Sequence, residues 1–130
     1  MKISVIGLGY IGLPTAAIFA SKGFEVIGVD LNPNVVKTVN RGEIHFIEPS
    51  LDKIVKTAVD AGCLKASTVL KPAEAFIIAV PTPFKTISHY TTWNVTEHHR
   101  KILRAHIGKC SAIFYLFYGK FMENIWQKAP

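Results

Sequence analysis

The sequence lacks an apolar run of about 18 residues, the length that a helix needs to cross a membrane. It also lacks a basic segment followed by an apolar segment and a cleavage site, so no secretory leader is indicated. Hydrophobic residues make up 49% of the 130 residues, a proportion typical of a globular domain. We therefore expect a globular, cytoplasmic protein without a membrane partner.

Cysteine is also scarce, and its spacing excludes a disulfide-rich scaffold. Cys63 and Cys110 are the two cysteines and form no CxxC pair, as expected of a protein from a reducing compartment. Cys63 follows a glycine typical of a helix end, which indicates a packing residue rather than a nucleophile. No metal site is predicted, because ligands at suitable spacing are missing around three histidines: His98, His99 and His106.

The formal net charge of +6 raises the question of nucleic-acid binding, but the distribution of the charge argues against it. Residues 1–85 hold nine Lys/Arg against seven Asp/Glu, whereas residues 86–130 hold six against two. The excess therefore lies in the last part of the chain, where no basic helix or aromatic RNA-binding signature accompanies it. We predict no nucleic-acid partner.

What the sequence does contain is a strand, glycine turn, helix and strand unit over residues 1–30. An apolar run leads into Gly7-x-Gly9-x-x-Gly12, and each glycine has a mechanical reason. Gly7 permits a sharp turn, Gly9 keeps the backbone bare beside a diphosphate, and Gly12 lets the helix pack closely on the sheet. The N–H groups of residues 10–13 would then face an anion at the helix N-terminus.

A carboxylate ends this unit. Asp30 lies eighteen residues after Gly12, at the tip of the second strand, where it can accept hydrogen bonds from both hydroxyls of an adenosine ribose. A 2′-phosphate beside this carboxylate would be repelled, so the pattern predicts NAD rather than NADP as the cofactor.

The remaining pattern predicts a Rossmann-like, doubly wound parallel α/β sheet. Helices are predicted to begin at Asn32-Pro33 and after a Ser50 cap. Strands are expected at about residues 2–6, 25–29, 64–69 and 76–80, with a helical turn at 71–75. His45 and Glu48 lie in the loop between the two helices; an acid–base pair is one interpretation, and a solvated loop is the favoured one.

Residues 1–85 closely resemble a known family in six segments: ISVIGLGYIGLPTAAIFA, VIGVD, NRGEIHFIEPSL, VKTAV, LKAST and IIAVPTPFK. These segments are similar to the start of those members of the UDP-glucose/GDP-mannose dehydrogenase family that act on UDP-N-acetyl-D-mannosamine. The motifs are specific, because GLGYxGLP and VPTP flank one site from two strands. The resemblance implies a two-step, NAD-dependent oxidation of the C6 alcohol of a UDP-sugar to a uronic acid, in the synthesis of surface polysaccharides such as enterobacterial common antigen.

The resemblance also implies roles for individual residues of the cofactor site. Tyr10 and Ile11 would contact the diphosphate through backbone groups, Asp30 would bind the adenosine ribose, and Thr82 would lie on the nicotinamide side. Val35 takes a position that is often basic in the family, which leaves only apolar contact with the adenosine end. With the three glycines of the turn, these residues make up the predicted cofactor site, and no catalytic residue is assigned.

After Lys85 the resemblance is lost, and we expect an NAD-binding half-domain, residues 1–85, followed by a tail, residues 86–130. The tail holds both tryptophans and eight of the fourteen aromatic residues but only two of the nine glycines. It is expected to be irregular or helical; a shifted reading frame is one explanation for it, and a divergent structural segment is another. Cys110 sits in GKCSA, without the glycine-rich context of the family's catalytic cysteine, so that role is not carried over.

These observations predict a truncated relative that binds NAD but does not oxidise a UDP-sugar by itself. The predicted strand 76–80 would be a sheet edge unless the tail covers it, and an open edge favours self-association. One alternative is a non-catalytic nucleotide-binding or interaction module that uses the aromatic, basic tail as its partner surface. Another is a different NAD enzyme that completes its site by forming oligomers.

Overall fold

A parallel five-stranded sheet is the frame of the computed structural model, which describes residues 1–80 and 112–115. The strands are β1 (Lys2–Ile6), β2 (Glu25–Val29), β3 (Leu64–Ser67), β4 (Ala75–Ile78) and β5 (Ala112–Tyr115). The helices are α1 (Gly12–Ser21), α2 (Pro33–Asn40) and α3 (Leu51–Asp60). The strand order is β3-β2-β1-β4-β5, and every neighbouring pair is parallel. The predicted Rossmann-like fold class is therefore confirmed.

The central strand β1 is the point at which the order of the sheet reverses. From β1 the chain passes outward to β2 and β3, and then returns to pair β4 with the other side of β1. In open parallel sheets, ligands bind at such a switch point, outside the carboxyl ends of the strands. Here that position lies at the ends of β1 and β4, beside the glycine turn of residues 7–12.

The hydrophobic core follows the two-residue alternation of the strands. One cluster joins alternate strand residues to the buried faces of α1 and α3: Ile3, Val5, Val26, Leu64, Leu13, Ala16, Ala17, Leu51 and Val55. On the other face of the sheet, Phe76 and Ile78 are buried against Ile6 and Leu70. Complete burial of one such large side chain contributes about 1.5–3 kcal/mol. All four residues of β4 are buried, as the uninterrupted apolar run in the sequence predicts.

The two predicted helix caps behave differently. At the start of α2, the side chain of Asn32 accepts a hydrogen bond from the N–H of Asn34, so the Asn-Pro start is confirmed. Ser50 does precede α3, but its side chain makes no capping hydrogen bond. Its φ of +66° is left-handed, whereas a capping side chain needs extended backbone, and the predicted Ser50 cap is therefore wrong. Among the described residues, no helix is both long and apolar enough to cross a bilayer.

The stretch between β3 and β4 differs from the predicted pattern. β3 ends at Ser67 rather than at residue 69, and residues 71–75 form no helical turn. Pro72 disfavours helical backbone at the residue before it, and the N–H of Glu74 donates to the carbonyl of Lys2 at 2.9 Å. This pairing with the start of β1 brings Ala75 into β4, one residue earlier than predicted.

The tail contributes a strand to the sheet. β5 pairs in parallel with β4, with Ala112 opposite Ala75 and Tyr115 opposite Ile78. The expectation of an irregular or helical tail is therefore wrong for these four residues. β4 is covered by β5 and is not the edge of the sheet, which removes the basis for self-association through that strand.

The glycine turn gives a matched pair of variants for testing the fold. A Cβ on Gly12 would lie 1.6 Å from the carbonyl oxygen of Gly7, whereas a Cβ on Gly9 meets nothing within 4 Å. We expect Gly12→Ala to lower the free energy of unfolding by about 2 kcal/mol or more, because α1 must move off the sheet. Gly9→Ala should change it by less than about 0.5 kcal/mol. Urea denaturation measures both values, and equal stability of the two variants would contradict the described contact.

Candidate functional site

The turn after β1 is held in place by backbone contacts. Gly7 has a φ of +92°, and its N–H donates to the carbonyl of Val29 at 2.7 Å. A Cβ on Gly7 would lie 2.5 Å from the carbonyl oxygen of Ala79 and 3.3 Å from a methyl carbon of Val80. The chain just beyond β4 therefore passes directly over Gly7, and only glycine fits there.

The start of α1 presents unpaired amides. Within the described part of the chain, the N–H groups of Tyr10, Ile11 and Gly12 have no hydrogen-bond acceptor, and no side chain caps the helix. The N–H of Leu13 donates to the carbonyl of Gly9 at 3.1 Å, so the prediction of free amides at residues 10–13 is wrong for that residue. Three free amides at a helix N-terminus suit an anion, and the open space at Gly9 leaves room for it to approach.

Asp30 lies at the end of β2, where the sequence predicts it, and already binds two backbone groups. Its Oδ2 accepts from the N–H of Leu8 at 2.9 Å, and its Oδ1 accepts from the N–H of Asn32 at 2.9 Å. The carboxylate therefore joins the glycine turn to the loop before α2. Each carboxylate oxygen can accept a second hydrogen bond, so both remain able to bind a hydroxyl group.

An aromatic contact next to the turn was missed by the sequence analysis. The ring of Tyr10 lies with its centroid 4.4 Å from that of Phe46, at an interplanar angle of 36°. The ring of His45 packs edge-on against Phe46 at 4.8 Å. His45 and Glu48 are both exposed, and among the described residues no hydrogen bond joins them, in agreement with the favoured solvated loop. An aromatic residue in a loop gives no local signal of the distant residue that it contacts.

The other predicted site residues are placed as follows. Ile11 is exposed beside the turn, with 40% of its surface accessible. Val35 is half-buried and packs against the core, so part of its side chain is available for contact with a ligand. Thr82 lies outside the described residues, as do Cys110 and the four histidines of the tail. The position of Val80 against Gly7 shows that the chain enters the segment of Thr82 from beside the turn.

Cys63 occupies the other end of the sheet. It precedes β3, at the amino edge, whereas the glycine turn follows β1 at the carboxyl edge. A five-residue strand separates the two edges by about 15 Å. Cys63 is half-buried against the core, which agrees with its interpretation as a packing residue. Within residues 1–80, no cluster of three His, Cys, Asp or Glu side chains could hold a metal ion.

Comparison with known proteins agrees with this geometry. The UDP-glucose/GDP-mannose dehydrogenase family, NAD binding domain, matches residues 1–113. UDP-N-acetyl-D-mannosamine dehydrogenase of Campylobacter jejuni is 61% identical over 102 residues, which are 78% of this chain and 25% of the relative. The enzyme of the same name from Escherichia coli (strain K12) is 66% identical over 83 residues, which are 64% of this chain and 20% of the relative.

Solved structures show the same relationship. The native structure of UDP-N-acetyl-mannosamine dehydrogenase from Staphylococcus aureus superposes with a TM-score of 0.79 at 33% identity, covering 90% of this chain and 29% of that one. The chain thus spans a fifth to about 29% of the length of the relatives that it matches. The family match continues to residue 113, past Lys85, where the sequence analysis placed the end of the resemblance. The open glycine turn, the carboxylate after β2 and the match over residues 1–113 lead to one conclusion: the chain belongs to the UDP-glucose/GDP-mannose dehydrogenase family, and residues 1–113 match the NAD-binding domain of that family.

Proposed function

We propose that NAD lies across the carboxyl edge of the sheet, with its diphosphate over the turn between Gly9 and Gly12. In this arrangement the amides of Tyr10 and Ile11 bind the diphosphate, and Asp30 accepts from the adenosine ribose. The observation that carries the proposal is the combination of three unpaired amides with open space at Gly9. Such a cradle fits a diphosphate, because the fixed N–H dipoles stabilise negative charge.

The proposal assigns the two ends of the cofactor to different strands. The adenosine end lies beyond β2, where Val35 offers apolar contact, and the nicotinamide end lies beyond β4, beside Thr82. Support for the second assignment comes from Val80, just beyond β4. A methyl carbon of Val80 lies 3.3 Å from the place that a Cβ on Gly7 would occupy. When bound, NAD accepts a hydride from the substrate. The residues of this chain would hold and orient it.

The proposed substrate is UDP-N-acetyl-D-mannosamine, oxidised at its C6 alcohol. The names of the relatives at 61% and 66% identity support this choice. Oxidation past the aldehyde needs a thiol placed against the reacting carbon, and Cys63 stands at the wrong edge of the sheet for that role. We therefore propose that residues 1–80 supply the cofactor half of the reaction, and that the thiol comes from outside them. We also propose a cytoplasmic location, in line with the expectation from the sequence.

The first functional prediction concerns Asp30. We expect Asp30→Ala to weaken NAD binding by about 1.5–3 kcal/mol, the size of a hydrogen bond to a charged group. The wild-type chain should prefer NAD to NADP, and the variant should lose most of that preference because no carboxylate then repels the 2′-phosphate. Titration calorimetry with both nucleotides measures the two effects.

Asp60→Ala is the matched control for this variant. It removes the same charge from the C-terminal end of α3, at the opposite edge of the sheet, where Asp60 pairs only with Lys56 among the described residues. Its affinity for both nucleotides should match that of the wild type. Because Asp30 also binds two backbone amides, its variant should be less stable as well, and titrations are carried out well below its unfolding temperature. Unchanged NAD affinity in Asp30→Ala would remove this carboxylate from the site.

A methyl group at position 9 tests where the diphosphate lies. Gly9→Ala should leave the fold intact, because the new Cβ meets nothing within 4 Å, but this Cβ projects into the open space that the ligand is proposed to use. We expect affinity for NAD and ADP to fall by about tenfold or more, a loss of about 1.4 kcal/mol, while affinity for adenosine stays the same. Full NAD affinity in a stably folded Gly9→Ala chain would place the diphosphate elsewhere.

The proposal that the reactive thiol comes from outside residues 1–80 makes predictions for the two cysteines. Incubation of the full chain with NAD and UDP-N-acetyl-D-mannosamine should produce no NADH. The absorbance of NADH is the measurement. Cys63→Ser should bind NAD like the wild type, because Cys63 is a strand length away from the turn. Turnover that disappears in Cys110→Ala would overturn the proposed division and make that thiol catalytic.

A further inference from the structure

The contact between Tyr10 and Phe46 joins the glycine turn to a loop that the cofactor proposal does not use. Tyr10 is one of the turn residues whose amide lacks an acceptor among the described residues. Its side chain is 60% exposed, and its ring packs on Phe46 at 4.4 Å. Offset or tilted aromatic pairs at such distances are attractive beyond the area that they bury. The direction of the Tyr10 side chain is therefore set from outside the turn.

Phe46 itself is well anchored. It is half-buried and packs against the main hydrophobic cluster, and the ring of His45 supports it edge-on. The base of its loop is fixed at Gly42, whose φ is +75° and whose N–H donates to the carbonyl of Val39 at 2.8 Å. A Cβ on Gly42 would lie 2.7 Å from the side chain of Lys56, so the loop also lies closely against α3. The ring of Tyr10 thus packs against a side chain that is itself held by the core.

Support from outside the turn matters for residues 9–11, because all three are exposed, whereas the backbone contacts described above hold the start of the turn. Gly9 precedes Tyr10, and a Cβ on Gly9 would meet no other described residue within 4 Å. Glycine also gives the backbone more freedom than any other residue. A turn that is free to rotate here would lose orientational freedom each time a diphosphate bound, and affinity would fall by that amount.

We propose that Phe46 is a positioning residue of the nucleotide site, which holds the Tyr10 ring and so keeps the amides of Tyr10 and Ile11 directed at a diphosphate. This inference rests on the proposed cofactor site and adds to it a residue distant in sequence. It concerns the diphosphate, because the ring of Phe46 contacts Tyr10, whereas Asp30 accepts hydrogen bonds from other backbone groups of the turn and of the loop before α2. Nucleotides with a diphosphate should depend on Phe46, and adenosine should not.

The test compares ligands on the full chain. NAD, ADP and adenosine are titrated into the wild type, Phe46→Leu, Tyr10→Ala and the double variant of Tyr10→Ala with Phe46→Leu. We expect Phe46→Leu to weaken the binding of NAD and ADP by about two- to tenfold, which corresponds to the free energy of an aromatic pair. The affinity for adenosine should be unchanged. The double variant should bind ADP no more weakly than the weaker single variant, since both remove one contact.

Ile47→Ala is the matched control within the same loop, because Ile47 is 96% exposed. It should leave all three affinities unchanged. If Phe46→Leu fails to fold, Tyr10→Ala tests the same contact from the exposed side. Equal losses for ADP and adenosine, or additive losses in the double variant, would overturn the inference. If the wild type binds NAD and a stably folded Phe46→Leu chain keeps the wild-type affinity for ADP, the inference is overturned too, but the proposed cofactor site is not. A wild-type chain that binds neither NAD nor ADP would refute the cofactor site and this inference together.

Discussion

The close approach of α1 to the end of β1 is the constraint on which the site depends. The carbonyl oxygen of Gly7 occupies the space that a side chain on Gly12 would need, so the helix can begin there only with glycine. Because the helix starts this close to the strand, its unpaired amides lie directly over the carboxyl edge of the sheet. The small buried residues that follow, Ala16 and Ala17, keep the same close spacing along the helix. The position proposed for the diphosphate is therefore set by helix packing and not by a charged side chain.

Asp30 connects this turn to the rest of the edge. The same carboxylate that is proposed to select the ribose also holds Leu8 and Asn32. Leu8 is fully buried, and a Cβ on Gly28 would lie 2.7 Å from it, so β2 carries a glycine to make room. The proposed choice of cofactor and the shape of the turn are thereby linked through one residue. A substitution at position 30 would also loosen the turn that is proposed to bind the diphosphate.

The features that could be predicted from the sequence are those set by neighbouring residues. The glycine turn, the placement of Asp30 and the Asn32 cap depend on local backbone geometry, and the structure has all three. The Ser50 cap failed because the backbone there is left-handed, and composition does not reveal that. The helical turn predicted at 71–75 does not form, because Glu74 pairs instead with the start of β1, which is far away in the chain. The Tyr10–Phe46 contact and β5 were missed for the same reason, since each depends on a distant partner.

The central position of β1 has a consequence for the order in which this sheet can form. β1 pairs with β2 through one short helical crossover, but Lys2 and Glu74, which start its pairing with β4, are 72 residues apart. Closing the longer loop costs more chain entropy, and pairing between distant strands is slow. During synthesis the N-terminal strands emerge first, so the β4 side of β1 stays an open, apolar edge until β4 has left the ribosome. The strand that organises the finished site is thus also the one that waits longest for its second partner.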